Sequence, residues 1–212
     1  MREVCAATGL LGENISSVIP EPRWFVDFFT SYYTDVEPGS ALVLEANGRI
    51  VGYLLGCTNR RRYLRHQIML SHSICLQSLK GLCTGQYGPL ARRFLLWLLW
   101  RSWREIPRTP PGGAHFHFNT LKQWRHSGRT NQMVNTFIHL LRCEHPDLKI
   151  VWGQMETFGD RRSLRLFQRL GWDFYDRKKF SKYQYIFGPA LPAQMKKIDA
   201  DRVYLTTIYR TI

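Results

Sequence analysis

The stretch 122-KQWRHSGRTNQMV-134 places arginines and a glycine between two regular elements. The run before it, 114-AHFHFNTL-121, alternates like a strand, and the apolar residues after it follow helical spacing. A strand that turns directly into a helix N-terminus offers converging N–H donors and a positive dipole end, which together suit a diphosphate. Gly128 would let the backbone approach a phosphate with no Cβ between them. The stretch is either a phosphate-binding loop or a basic turn before a helix, and its neighbours favour the loop.

The composition is that of a globular protein with a strong positive charge. The chain has 212 residues, of which 44% are hydrophobic and 22% are charged, and its formal net charge is +14. Such a charge favours anionic partners, namely nucleic acid, a phosphorylated cofactor or an anionic membrane surface. The sequence contains no helix-turn-helix, zinc-finger or RNA-binding aromatic motif, so a nucleic-acid partner is the least favoured of the three.

The cysteines and the N-terminus indicate a reducing compartment. There are five cysteines, an odd number, and no two of them form a CxxC pair. This pattern favours reduced thiols over a disulfide framework or a zinc site. Residues 1–14 lack the apolar core of a signal peptide, and no apolar run approaches the roughly 20 residues that span a bilayer. We therefore expect a cytoplasmic protein without a metal site.

The elements that must position the loop follow from periodicity and turn signals. Asn47-Gly48, between two β-rich runs, predicts a type I′ hairpin. In 23-RWFVDFFTSYY-33 the aromatic residues share one helical face, which predicts a core helix. Along the chain we predict helices within residues 1–35, the hairpin at 41–58, helices at 63–82 and 91–106, a strand at 114–121, a helix at 128–143, a strand at 148–157, a short helix at 160–172 closed by Gly171, a strand-like segment at 173–187 and a last strand at 202–212.

This order of elements, with an Arg-x-x-Gly loop between a strand and a helix, resembles the GCN5-related N-acetyltransferase (GNAT) family. Residues 41–56 are similar to the family's second and third strands, 114–130 to its fourth strand and acyl-CoA loop, and 151–172 to its fifth strand and fourth helix. The resemblance covers most of the chain outside residues 59–113. It implies one α/β acyltransferase domain over residues 1–212, with a mixed, mostly antiparallel sheet flanked by helices and a helical insertion at 59–113 after the family's third strand.

The resemblance also implies acetyl-CoA as the cofactor. In the family, the loop reads Gln or Arg, two residues, Gly, one residue, then Gly or Ala; Arg125 and Gly128 match this pattern. Thr130 stands where Gly or Ala is usual, and Arg129 where an apolar residue is common. The residues implied to bind the cofactor are Phe118, Thr120, Arg125, His126, Ser127, Gly128, Arg129, Thr130, Asp160 and Phe167.

For chemistry, the resemblance implies direct attack of an acceptor amine on the acetyl thioester. A backbone N–H near Phe118 would polarise the carbonyl. The family's usual base position reads as Ala114, and its tyrosine position in the fourth helix reads as Phe167. Neither can move a proton. The remaining candidates are Glu156, His115 and His117 as base and Tyr175, Tyr183 or water as acid, and from these Glu156, His117 and Tyr175 are our predicted catalytic residues. A catalytically inert binding module with the same fold is the main alternative.

The segment 92-RRFLLWLLWRSWRE-105 has two interpretations. Apolar residues all round the helix between Phe94 and Trp100 favour a core helix. An interfacial helix would instead hold Trp97, Trp100 and Trp103 at the headgroup level of an anionic membrane. The partners suggested by the sequence are therefore a small-molecule or protein amine acceptor and an anionic membrane surface, and the second would make the protein membrane-associated.

Overall fold

The computed structural model describes residues 1–19, 22–125, 127–159, 167–188 and 199–212. These residues form the helices α1 (Arg2–Thr8), α2 (Arg23–Ser31), α3 (Arg60–Cys83), α4 (Pro89–Trp100), α5 (Ser127–Glu144) and α6 (Lys182–Phe187). The strands are β1 (Ala41–Ala46), β2 (Arg49–Cys57), β3 (Ala114–Thr120), β4 (Ile150–Phe158), β5 (Asp173–Lys179) and β6 (Val203–Thr211).

The strands form one six-stranded sheet in the order β1-β2-β3-β4-β6-β5. It is mixed and mostly antiparallel, with one parallel pair. Helices flank it, and α3 and α4 are inserted between β2 and β3. The predicted fold class is therefore confirmed. The chain divides into two compact units: residues 1–74, 112–151 and 211–212 form the first, and residues 75–111 and 152–210 form the second.

In the first unit, β1, β2 and β3 pair in succession, and both pairings are antiparallel. Asn47 and Gly48 have φ values of +52° and +70°, as the predicted type I′ turn requires. The register between β2 and β3 pairs Tyr53 with Asn119 and Leu55 with His117. Because side chains alternate along a strand, this register decides which polar groups of β2 and β3 share a face.

The N-terminal helices supply an aromatic core to the same unit. After α2 the chain continues as a π-helix, Tyr32–Val36, in which the Glu37 N–H donates to the Tyr32 carbonyl at 3.0 Å. Tyr32 and Tyr33 are buried there. The predicted core helix at 23–33 is confirmed, and the π-helix extends it by three residues beyond the predicted stretch.

In the second unit, α4 packs against α6 through a buried carboxylate. Glu105 accepts hydrogen bonds from the Trp97 indole at 3.1 Å and from the Ser181 N–H at 2.8 Å. The Trp97 ring meets Phe180 edge-on with 5.2 Å between centroids. Glu105 thereby joins the end of α4 to the start of α6.

Gly171 closes a helical turn as predicted, and residues 160–166 of the predicted helix lie outside the described residues. The φ of Gly171 is +79°, its N–H donates to the Gln168 carbonyl at 3.0 Å, and the Trp172 N–H donates to the Phe167 carbonyl at 3.0 Å. This pair of hydrogen bonds is the Schellman motif.

Two element predictions were wrong in part. The segment 173–187 was predicted to be mostly strand, yet its last six residues form α6. Tyr183, Ile186 and Phe187 are buried, and their spacing puts them on one helical face. The helix predicted at 91–106 ends at Trp100 and is followed by a 3₁₀ turn, Ser102–Arg104, because Glu105 turns inward.

Candidate active site

Strand β3 passes into α5 through a short turn. Leu121 continues the sheet, donating its N–H to the Val51 carbonyl at 2.9 Å, and a 3₁₀ turn, Lys122–Trp124, follows. Helix α5 then begins at Ser127, and its first turn contains no acidic residue. The first N–H groups of a helix have no partner within it, and they carry the positive end of its dipole. The predicted strand, loop and helix are therefore present in this order.

Gly128 is exposed in the first turn of α5. A Cβ added to it would meet no atom within 4 Å. A surface cavity of about 460 Å³ opens beside it, and its lining side chains carry amide, hydroxyl and imidazole groups. The lining residues are Gly128, Asn131, Gln132, Asn135, Thr136 and His139. The open space therefore begins at the first turn of α5 and follows one polar face of this helix as far as His139.

Three cations surround this turn, and each has a local contact. Lys122 pairs with Glu13, with 3.0 Å between Nζ and Oε1. Arg125 donates from Nε to the Thr120 carbonyl at 3.0 Å. The Arg129 guanidinium lies over the Trp124 ring, 5.2 Å from its centroid.

The Arg125 guanidinium also lies against Gly12, whose φ is +92°, at a position where a Cβ would overlap it. The side chain of Arg125 therefore braces the turn against the N-terminal segment.

The remaining predicted cofactor residues of this unit lie on β3 and in α5. Thr120 is buried, and among the described residues its hydroxyl has no hydrogen-bond partner. The ring of Phe118 is half-buried beside Phe116, with 6.0 Å between centroids. The role of the Phe118 N–H as an oxyanion donor stays a prediction. Thr130 is half-buried in the first turn of α5.

Other predicted cofactor residues fall elsewhere. His126 and Asp160 lie outside the described residues, and Ser127 is described in its backbone only. Phe167, in the second unit, is half-buried, and its carbonyl accepts the closing hydrogen bond of the Schellman motif.

His117 belongs to a hydrogen-bonded group on β2 and β3. The Asn119 amide donates to the Tyr53 hydroxyl at 2.9 Å, and this hydroxyl lies 3.1 Å from Nε2 of His117. In the tautomer whose ring proton is on Nδ1, the Tyr53 hydroxyl donates to Nε2. The imidazole stacks on Phe29 with 5.3 Å between centroids.

His115 lies on the same face of β3 and is more deeply buried. Its Nε2 is 2.9 Å from the Tyr33 hydroxyl, and the Tyr63 ring meets it edge-on with 4.4 Å between centroids. Burial lowers the pKa of His115 to about 3 and the pKa of His117 to about 4. Both imidazoles are therefore neutral at neutral pH.

The other predicted base, Glu156, is in the second unit and is already engaged. Its Oε1 accepts from Lys182 Nζ at 2.7 Å, and its Oε2 accepts from the Tyr183 hydroxyl at 2.5 Å. The Lys182 side chain is buried and lies over the Tyr183 ring, 4.5 Å from the centroid. Because Lys182 and Tyr183 already occupy both carboxylate oxygens, these contacts indicate a structural role for Glu156 rather than that of a base.

Tyr175, the predicted acid, lies on β5. It occupies an irregular position, because the register between β5 and β6 shifts between Phe174 and Asp176. Its ring is exposed and meets Tyr209 edge-on with 6.0 Å between centroids. Its role as an acid stays a prediction.

Sequence reasoning missed the tyrosines that hydrogen-bond to the histidines. Tyr33 had been assigned to the core, and Tyr53 and Tyr63 had no assigned role. The alternation of β2 and β3 was visible in the sequence, but the pairing of Tyr53 with Asn119 depends on strand register. Once the β1–β2 hairpin is assigned, testing each possible register of β3 against β2 would have identified this group of polar residues.

No protein-family model matches the sequence, and no curated protein matches it. Solved structures, in contrast, do match this chain. The protein called SsHAT is 20% identical with a TM-score of 0.53, and the match covers 99% of this chain and 91% of that chain. The Drosophila melanogaster polyamine N-acetyltransferase is 18% identical with a TM-score of 0.50, covering 91% of this chain and 83% of that chain. An agmatine N-acetyltransferase is 17% identical with a TM-score of 0.50 and the same coverage.

Proposed function

We propose that this chain, which has the fold of the GCN5-related N-acetyltransferases, transfers an acetyl group from acetyl-CoA to an amine of a small-molecule or protein acceptor. One observation carries the proposal: β3 turns directly into α5, and Gly128 is uncovered in the first turn of that helix. A fold alone does not establish an activity. The local chemistry of this turn is what favours a phosphorylated cofactor.

The residues at the turn fit a diphosphate. A Cβ at Gly128 would fill the open space that a phosphate needs, and no acidic side chain in the first turn of α5 would repel it. Arg129 contributes positive charge nearby, whereas Lys122 is paired with Glu13. The unpaired N–H groups of α5 would donate to the phosphate oxygens. The hydroxyl of Thr130 offers a further donor in the same turn.

When bound, acetyl-CoA supplies an activated thioester carbonyl. The Phe118 N–H is our proposed donor to the carbonyl oxygen, where negative charge develops during attack. Such a donor accelerates the reaction because it is already oriented by the strand.

His117 is the proposed proton acceptor. The ring is neutral, and with its proton on Nδ1 it accepts at Nε2 from the Tyr53 hydroxyl, so Tyr53 can pass a proton to Nε2 while taking one from the attacking amine. Asn119 holds the Tyr53 oxygen in place during this exchange. The departing thiolate takes a proton from Tyr175, from Tyr183 or from water, or leaves as the anion, since thiol pKa values of about 8.5–10 permit it.

A second candidate function is a catalytically inert binding module with the same fold. Two observations favour it. Burial lowers the pKa of His117 to about 4, which makes it a weak base, and Glu156 is occupied by Lys182 and Tyr183. Both functions include cofactor binding, so turnover distinguishes them.

Cofactor binding is tested with Gly128→Trp. The indole would fill the open space at the start of α5, and we expect the affinity for acetyl-CoA to fall by at least about 100-fold, because several charge-assisted hydrogen bonds are lost together. Isothermal titration calorimetry measures this. The control is Gly39→Trp in the same unit, since Gly39 also has nothing within 4 Å of an added Cβ. Equal affinity of the two variants would show that the turn is not the phosphate site.

Transfer is tested by thiol release from acetyl-CoA over a panel of primary amines. We expect turnover with at least one amine, and we expect His117→Gln to lower kcat by roughly 100-fold with an unchanged KM for acetyl-CoA. His72→Gln, at an exposed position of α3, is the control. Binding of acetyl-CoA without thiol release on any amine would favour the inert module.

A further inference from the structure

Helix α4 leaves apolar side chains exposed on the face opposite α6. Its buried face carries Phe94, Leu95 and Trp97. Exposed apolar side chains follow on the other side and just beyond the helix: Leu96 at 42%, Trp100 at 69%, Trp103 at 61% and Ile106 at 50%. The core interpretation therefore holds for part of the segment, and the interfacial interpretation stays a prediction. Trp97 belongs to the core, and Trp100 and Trp103 do not.

Cations accompany these side chains. Arg92, Leu96 and Trp100 are spaced four residues apart, which puts them on one face of α4. The Arg104 guanidinium lies over the Trp103 ring, 4.6 Å from its centroid. Lys178 donates from Nζ to the Arg104 carbonyl at 3.1 Å, which places a further ammonium at this edge.

Carboxylates are rare in the segment that forms this surface. Between residues 89 and 108 the only carboxylate is Glu105, against five arginines. Glu105 is buried and accepts from Trp97 and Ser181, and its pairing with Arg101 uses one of those arginines. Within residues 89–108 the exposed surface is therefore apolar and cationic together, and one carboxylate of β5, Asp176, borders it, accepting from the Arg108 N–H at 2.6 Å.

We propose that this tryptophan surface, formed by Leu96, Trp100, Trp103 and Ile106 with Arg92, Arg104 and Lys178, docks on an anionic lipid surface. Tryptophan rings favour the headgroup level of a bilayer, and arginine and lysine side chains favour anionic headgroups. Contact with the boundary between headgroups and acyl chains would remove the apolar side chains of Leu96 and Ile106 from water, which is favourable. None of the described helices is both long enough and apolar enough to cross a bilayer. The docking is therefore peripheral, and it goes beyond the proposed acetyl transfer.

Two other occupants fit the surface less well. A second copy of the chain would bring the same arginines and lysine against one another, with no exposed carboxylate from residues 89–108 to neutralise them. Nucleic acid matches the charge, but its phosphates and sugars offer no apolar layer for Leu96 and Ile106.

The experiment is co-sedimentation of the full chain with vesicles of phosphatidylcholine alone or mixed with phosphatidylglycerol. We expect binding to the mixed vesicles to be at least tenfold stronger than to the neutral ones. The double variant Trp100→Ser/Trp103→Ser should lose at least tenfold of that binding. Arg92→Gln/Arg104→Gln, which keeps the apolar side chains, should lose about 25-fold, since each cation near the surface contributes about fivefold.

Matched controls change the same chemistry elsewhere. Ile68→Ser/Met69→Ser removes two apolar side chains that are similarly exposed, and Arg49→Gln/Arg61→Gln removes two exposed charges. Both should retain wild-type binding.

The proposal fails if the wild type does not bind mixed vesicles or if the controls weaken binding as much as the surface variants. It also fails if the tryptophan variant instead abolishes a dimer seen by light scattering, or abolishes binding to a DNA duplex while vesicle binding persists. Calorimetry with acetyl-CoA on the same variants keeps this test separate from the proposed transferase function, because cofactor affinity should not change.

Discussion

At the scale of residues, His115 and His117 lie on the same strand, β3, but are assigned different roles. Burial lowers both pKa values, so each imidazole is neutral and accepts or donates to a tyrosine hydroxyl. For His117 the neutral state is what proton acceptance requires. For His115, edge-on contact with Tyr63 and the hydrogen bond to Tyr33 indicate a packing role.

The lowered pKa of His115 has a consequence for stability. The imidazole of His115 has a pKa of about 6.5 in the unfolded chain and of about 3 in the folded protein. Its contribution to the free energy of unfolding is therefore present above pH 6.5 and is lost as the pH falls below that value. We expect the free energy of unfolding to drop by about 2 kcal/mol per buried histidine between about pH 7 and pH 5. Urea denaturation across this range measures the slope.

The matched variants are His115→Gln and His72→Gln. The first removes the buried titrating group, so its unfolding free energy should depend less steeply on pH than that of the wild type. His72 is exposed, and its variant should keep the wild-type slope. An unchanged slope in His115→Gln would contradict the assignment of the pH dependence to burial of this imidazole.

At the scale of elements, close packing of α5 on β2 holds the loop where it is. A Cβ on Gly56 would overlap the Phe137 ring of α5 and lie 2.9 Å from the Ser40 carbonyl oxygen. Glycine at this position lets the helix approach the sheet, and the start of the same helix forms the candidate phosphate site. The position of the loop therefore depends on a strand residue remote from it in sequence.

Gly56→Ala tests this packing. We expect the free energy of unfolding to fall by about 2 kcal/mol, because a methyl group inserted into a packed contact displaces its neighbours. Gly39→Ala, where an added Cβ meets nothing, should change stability by no more than about 0.5 kcal/mol. Combining Gly56→Ala with Phe137→Leu should recover part of the loss in urea denaturation. A fully stable Gly56→Ala would show that α5 can move away from β2 without cost.

At the scale of the whole molecule, the net charge of +14 acts on every anionic ligand. If the turn before α5 binds a diphosphate, part of its affinity must come from charges that dissolved salt can screen, because Lys122, Arg125 and Arg129 are exposed. The affinity should then depend on ionic strength as well as on the hydrogen bonds of the helix terminus.

We expect the Kd for acetyl-CoA to rise by about fivefold or more between about 50 mM and 500 mM sodium chloride, as the screening length shortens. Calorimetry at several salt concentrations measures this. Arg129→Gln should reduce the salt dependence, whereas Arg49→Gln, on the β1–β2 hairpin, should reduce it less. A Kd independent of salt would mean that hydrogen bonds alone hold the cofactor.

The sequence by itself determined the order of the elements, apart from α6, and the position of the loop. These features are local: Asn47-Gly48 sets its own turn, Gly171 ends its own helix, and the spacing around Gly128 places a helix after a strand. The mixed sheet and the helical insertion both followed from that order.

Only the tertiary structure decided which polar groups meet. Strand register brings Tyr53 to His117, and helix packing turns Trp97 inward and leaves Trp100 exposed. Burial of Tyr183, Ile186 and Phe187 on one face favours a helix, which packs on α4, where β-prone residues had predicted a strand. Each outcome depends on contacts between residues far apart in sequence, and local periodicity carries no information about such contacts.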